Sequence, residues 1–341
     1  MTTETETNEL QDLATSVFSD ADAEGSGFDA ALWSTLEETG LARLTLPEEV
    51  GGSGAGFVES AVVLGAAGEF AGRVPLVETD LTAGWLLHTA GIPLPDGPLT
   101  LATADLDVDR TARRAAGTLR RVPWARSAAG IVVLAGDAVL LIDPAGVEIT
   151  DGTNVAEEPR DTVTVDGAIT VAGVDDRVGS ELRLRGAFGR AALLAGAARG
   201  ALTAAVQYAG ERIQFGRPIG RFQAIQQQLA LAAGEVAAAQ SAVAVAARKI
   251  DRAGFGDAEV QLAVAAAKSR TSEAAGVVAR IAHQVHGAIG FTREHRLRLT
   301  TTRLWAWRDE DGSEAEWNDL VGRLALEAGP AGLWPMVVGT P

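Results

Sequence analysis

The sequence predicts an α+β fold with an N-terminal helical domain, a middle β domain and a C-terminal four-helix bundle. Three observations predict it. Apolar residues repeat at helical spacing up to a proline-rich turn over 92–98, then switch to short apolar runs punctuated by Gly-Asp and Asp-Gly pairs, and from about Ala187 return to helical spacing in long alanine-rich stretches. The predicted domains are 1–98, 99–178 and 179–341.

In the first region, the polar start Thr2 to Asn8 gives way to periodic sequence. Asp29 is placed to cap a short helix that Gly40 ends. Helical patterning continues through Phe57 to Phe70 and Leu76 to Ala90, with the loop Pro47 to Gly54 between helices. In the middle region two hairpins are predicted: Ile131 to Ala135 turning at Gly136-Asp137 into Ala138 to Ile142, and Thr162 to Val165 turning at Asp166-Gly167 into Ala168 to Val171. In the last region, Val260, Val264, Ala267, Thr271, Ala274, Val278, Ile281 and Val285 fall on one helical stripe. A second stripe runs from Phe222 through Ala232 and Val243 to Ile250, and the small alanines on both allow close packing.

Composition bounds the function. A chain of 341 residues with 47% apolar content buries a substantial core. It contains no cysteine, which excludes disulfides, thiolate metal sites and cysteine nucleophiles and suits a reducing cytoplasm. Redox chemistry would need a cofactor. The acidic start is unlike a secretory or transit peptide, so a cytoplasmic location is expected. Leu229 to Ala247 is interrupted by Glu235 and Gln240 and is expected to fall short of a membrane span. A net charge of -16 argues against nucleic acid and anionic lipid as partners. Only Lys249 and Lys268 are lysines; the other basic residues are arginines, of which Arg190, Arg199 and Arg293 are candidates for phosphate contacts. His283 and His286 lack a third ligand nearby in sequence, so no metal site is expected.

Two motifs stand out. The first is Tyr208-Ala209-Gly210-Glu211-Arg212-Ile213-Gln214-Phe215-Gly216-Arg217-Pro218-Ile219, followed by Phe222-Gln223-Ala224-Ile225-Gln226. The second, Gln284-Val285-His286-Gly287-Ala288-Ile289-Gly290-Phe291-Thr292, begins 72 residues beyond Arg212. Together with Leu46 to Gly54, they resemble the acyl-CoA dehydrogenase family, in particular its short actinobacterial subunits, some of which pair as α₂β₂ assemblies and act on steroid side chains. Ala288 stands where the family commonly has glycine.

The resemblance implies FAD as cofactor. Arg212, Gln214, Phe215 and Gln223 would contact its adenosine diphosphate part, while Gln284, Gly287 and Ala288 would hold its pyrophosphate across a subunit interface. A permanently charged guanidinium and closely approaching backbone amides suit that anion. It also implies an acyl-CoA substrate undergoing α,β-desaturation, an electron-transferring flavoprotein as electron acceptor, and a homo- or hetero-oligomer. The reaction needs a carboxylate to take the α-proton. Counting from Gly287 places Asp311-Gly312-Ser313 at the family's base position, with Asp311 as candidate base and Ser313 as a further cofactor contact. The charged neighbours Arg308, Asp309, Glu310 and Glu314 leave open that this is a solvated turn without catalytic function. The family's alternative base position, near Arg185 to Arg190, carries no carboxylate. In the β domain only Trp124 partially matches a flavin-contacting segment, with core packing as the other reading. Two functions follow: a complete acyl-CoA dehydrogenase, or a noncatalytic partner subunit that completes a neighbour's FAD site.

Overall fold

A computed structural model describes residues 4–21, 23–25 and 27–338, so Thr2 and Thr3 of the polar start lie outside it. The chain begins with α1 (Glu4–Ser19), α2 (Ala30–Glu38) and α3 (Phe57–Glu69), then a π-helical stretch (Val77–Gly84) that runs into α4 (Trp85–Thr89). Strands follow: β1 (Leu99–Thr103), β2 (Asp107–Asp109), β3 (Arg114–Pro123), β4 (Gly130–Ala135), β5 (Ala138–Ile142), β6 (Glu148–Thr150), β7 (Arg160–Ala168) and β8 (Thr170–Gly173). The rest is α5 (Val178–Glu211), the short strands β9 (Ile213–Gln214) and β10 (Arg217–Pro218), then α6 (Gln223–Ala253), α7 (Ala258–His286), α8 (Leu297–Trp307) and α9 (Glu314–Val338).

Contacts group the chain into two units that do not follow the three consecutive segments. One takes Met1–Glu24, Phe57–Gly72 and Ala187–Pro341; the other takes Gly25–Gly56 and Arg73–Gly186. The N-terminal helices therefore divide, with α1 and α3 packing in the unit of the long C-terminal helices.

In the helical unit every residue of the α7 stripe is buried, as its spacing predicts. On α6 burial begins only at Ala232, while Phe222, Ile225 and Leu229 are half-buried. An 18-residue window of α6 has a mean hydropathy of 1.6, so by length and composition the helix passes the test of a membrane span that its sequence was expected to fail, a test that apolar core helices also pass. Two polar interruptions do not offset so many alanines, and one of them, Glu235, forms an ion pair with Arg270 of α7. The last helix kinks at Gly329 (φ 64), just before Pro330.

The other unit carries two four-stranded sheets, ordered β1-β4-β5-β8 and β2-β3-β7-β6. Ile131, Val133, Leu140 and Ile142 of the first pack against Leu119, Val122, Val163 and Val165 of the second. The intervening residues Val132, Leu134 and Val139 face α4 and the first turn of α5, so this sheet is apolar on both faces. The β4–β5 hairpin forms as predicted, closing at Ala135↔Ala138. The second predicted hairpin does not. β7 runs through Asp166-Gly167 paired along β3, and β8 instead joins β5 in the other sheet. Long pairing with β3 and burial of Ile169 outweigh the local turn signal.

Asp29 caps α2, accepting the Leu32 amide at 3.0 Å, and Gly40 (φ 73) ends it. Between Leu76 and Ala90 the expected helix is present, but its first turns are π-helical and bury Thr79, Asp80 and Thr82. Asp80 accepts from the Thr45 amide at 2.9 Å and the Thr45 hydroxyl at 3.1 Å. Burial nevertheless pushes its carboxyl from 3.8 up to about 7. The folded state then binds this proton more tightly than the unfolded state does. The contribution is complete below pH 3.8 and is lost as pH rises to about 7. Melting temperatures of the wild type and Asp80→Asn, compared across that window, should show the wild type losing ground steadily with pH. A difference that stays constant would refute this.

Candidate functional site

The first motif lies where α5 ends. Phe215 (φ 51) and Gly216 (φ 78) occupy the turn between β9 and β10, which pair at Gln214↔Arg217, and positive φ at both central residues is what a type I′ hairpin requires. A left-handed phenylalanine is strained, and here the strain holds a 92% exposed ring out in solvent. Arg212, Gln214 and Gln223 are exposed on the same hairpin and the first turn of α6. The Phe222 ring meets Phe215 edge-on at 6.1 Å and carries the Arg217 guanidinium 4.3 Å from its centre.

The second motif lies at the end of α7. Gly287 (φ 64) terminates the helix, its amide bonded to the His283 carbonyl, in a conformation that favours glycine. Gln284, Gly287 and Ala288 line an open groove of ≈ 530 Å³ together with Arg280, His283, Phe291 and Trp305. His283 stacks between Phe291 (4.3 Å) and Trp305 (5.2 Å) and reaches the Thr301 hydroxyl at 3.0 Å. His286 bonds the Ala282 carbonyl at 2.8 Å. Burial pushes both imidazoles below their ordinary range and so favours their neutral forms. Tyr208, one turn before Arg212, stacks on His286 at 4.4 Å. That contact brings the two motifs, far apart in sequence, to one end of the helical unit. Guanidinium, amide side chain and an open glycine turn are the donor types that an FAD pyrophosphate requires, so these residues fit the cofactor.

Asp311 lies elsewhere. It follows α8 in a left-handed turn (φ 55), and Gly312 (φ 94) must be glycine, because a Cβ there would overlap Trp317 Nε1. The Asp311 carboxylate accepts from Arg190 Nε at 2.9 Å, and the same buried guanidinium reaches Glu310 at 3.4 Å. Trp317, fully buried, donates to the Asp311 carbonyl at 2.9 Å. Beneath the turn, the fully buried Lys268 donates to the carbonyls of Arg308 (2.8 Å) and Gly312 (2.9 Å) and to the Ser272 hydroxyl (3.2 Å). Burial lowers its ammonium to about 8, against the nearby Asp311 charge, which raises it. Ser313 caps α9 through a reciprocal pair with Glu316: its amide reaches the carboxylate at 2.7 Å and its hydroxyl accepts the Glu316 amide at 3.4 Å.

Lys268 and Gln284 are 16 residues apart on α7, about 24 Å at 1.5 Å per residue, so the Asp311 turn over Lys268 is set well back from Gln284, although the near edge of the groove, at Gly276, lies beside the Arg308 guanidinium. One chain thus brings Arg212 to Phe215 and Gln284 to Ala288 together, but not Asp311. Among the arginines considered for phosphate contacts, Arg190 is buried against the acidic turn and Arg199 pairs with Glu69. Trp124 is buried, at 3% exposure, so its ring packs inside the β unit. Sequence reasoning named Arg190 only as a phosphate candidate and Lys268 only as a rare lysine, and missed that both hold the Asp311 turn. The one available signal was a rare lysine in a small-residue helix, beside the Ala267 stripe.

The family described as acyl-CoA dehydrogenase, C-terminal domain, matches residues 184–315, and its N-terminal counterpart matches residues 7–93. The acyl-CoA dehydrogenase IpdE2 of Mycobacterium tuberculosis is 31% identical over 291 residues, 81% of each chain. A chain of the ChsE4-ChsE5 complex from Mycobacterium tuberculosis superposes with a TM-score of 0.83 at 25% identity, covering 97% of this chain and 99% of that one. A variant of the Tcur3481-Tcur3483 steroid ACAD gives a TM-score of 0.80 at 26% identity, covering 96% and 99%. The chain belongs to the acyl-CoA dehydrogenase family, whose cofactor is FAD.

Proposed function

We propose that this chain is one subunit of a heteromeric acyl-CoA dehydrogenase acting in the cytoplasm on the CoA thioester of a steroid side chain, where it supplies the phosphate-holding half of an FAD site that a second subunit completes. The observation that carries this reading is the separation of functions on one chain. The FAD-phosphate residues gather at one end of the helical unit, whereas Asp311 sits in the turn over Lys268, 16 residues before Gln284 on α7, and its carboxylate is held by the buried Arg190. The two-component complexes among the similar structures support a second subunit, and a relative described as a steroid ACAD supports the substrate class.

In this assembly FAD supplies the hydride acceptor for the β-hydrogen, and an electron-transferring flavoprotein would reoxidise it. From this chain Arg212, Gln284 and the Gly287 turn hold the phosphates, and Phe215 offers an exposed ring beside them. The second reading makes Asp311 the α-proton base. It is favoured by the partial exposure of the side chain, 32%, but the carboxylate would have to act while paired with Arg190.

Visible spectra of the chain alone and with its co-purifying partner separate the two readings. The expected result is a stoichiometric flavin band only in the assembly. In that assembly, Asp311→Ala and Asp311→Asn should leave exchange of the substrate α-proton with solvent within about twofold of wild type, against the hundredfold or greater loss typical of removing a general base. A flavin-loaded, active single chain, or collapse of that exchange, would overturn the proposal.

A further inference from the structure

Arg280 is a charged residue in the groove that belongs to neither motif. It precedes Gln284 by four residues on α7, so both side chains lie on one helix face. Its side chain is exposed, and no acceptor among the described residues holds it. Three other arginines of the helical unit are held by acidic partners: Arg190 by Asp311, Arg199 by Glu69 and Arg270 by Glu235. None of the eight residues lining the groove is acidic, although the chain has 45 acidic residues. On a protein of net charge -16, a phosphate approaching this end meets repulsion from the overall field, and a local unpaired cation is what reverses it. The stacked rings of Phe291, His283 and Trp305 form one wall of the groove, an apolar surface beside the guanidinium.

We propose that Arg280 is a second phosphate-holding residue for FAD, gripping the pyrophosphate from the groove while Arg212 approaches from the α5–α6 hairpin. A guanidinium presents fixed paired donors that match phosphate oxygens, and two cations balance the two charges of a pyrophosphate. The inference rests on the reading of this groove as half of an FAD site. CoA carries the same pyrophosphate chemistry, so the test must separate the two ligands.

The assembly that carries flavin is stripped and titrated with FAD, with Arg280→Ala, Arg280→Lys and Arg212→Ala beside the wild type. Losing a charge-assisted phosphate contact should weaken FAD about ten- to a hundredfold. Arg280→Lys should recover part of that loss, and the salt dependence of the FAD dissociation constant should be shallower in Arg280→Ala. Riboflavin, which lacks phosphate, should bind wild type and Arg280→Ala equally, and acyl-CoA affinity at saturating FAD should not change. Arg280 is exposed, so the variant is expected to fold, and circular dichroism checks this. FAD binding within twofold of wild type in Arg280→Ala, while Arg212→Ala loses it, overturns the inference alone. Weakened acyl-CoA binding with intact FAD binding also overturns it. A wild-type assembly that takes up no FAD removes the underlying reading as well.

Discussion

Lys268→Met is expected to lower the unfolding free energy by about 3–5 kcal/mol, because it strips donors from a site that water cannot reach. All three ammonium protons have acceptors: the carbonyls of Arg308 and Gly312 and the hydroxyl of Ser272. Methionine fills much the same volume and so isolates the polar loss from a cavity term. Arg308 and Gly312 flank Asp311, so the same substitution should loosen the turn that Arg190 and Trp317 hold. Urea denaturation gives the stability change, and hydrogen exchange over residues 308–313 gives the local one. A shift below about 1 kcal/mol would mean that neighbouring groups or water satisfy these carbonyls.

Gly196→Ala should be at least as damaging, at about 3 kcal/mol or more, although it adds a single methyl group. Gly196 on α5 faces Gly65 on α3, and a Cβ would overlap the Gly65 carbonyl oxygen and carbon. Backbone cannot step aside as a side chain can, so the helices must separate along a contact that Gly68 against Leu193 and Gly200 against Glu69 continue. Gly210 on the same helix is the internal control. A Cβ there would meet nothing within 4 Å, so Gly210→Ala should stabilise by about 0.5–1 kcal/mol through helix propensity. Thermal melts of the two variants should therefore move in opposite directions. Equal shifts would show that α3 and α5 are not in close contact in solution.

Arg212 to Phe215 and Gln284 to Ala288 were legible as motifs because each is a helix end, where glycine, the turn and the exposed polar groups follow one another in sequence. Their meeting at one end of the helical unit was not legible, since it depends on the stacking of Tyr208 on His286. At the other candidate site, the Ser313 and Glu316 cap could be read directly as a Ser-x-x-Glu pattern. The ion pair that restrains Asp311 could not, because Arg190 is 121 residues away.

The sequence by itself determined the α+β class, the Asp29 and Gly40 helix limits, the β4–β5 hairpin and the buried stripe of α7. Each depends on residues within a few positions of one another, where backbone propensity and side-chain period act directly. Tertiary structure alone decided that β8 joins β5 rather than folding back on β7, that Arg190 and Lys268 hold the Asp311 turn, and that Arg280 stands unpaired in the groove. Those outcomes depend on which distant surfaces become neighbours. Burial then decides which charges find a partner and which remain available to a ligand.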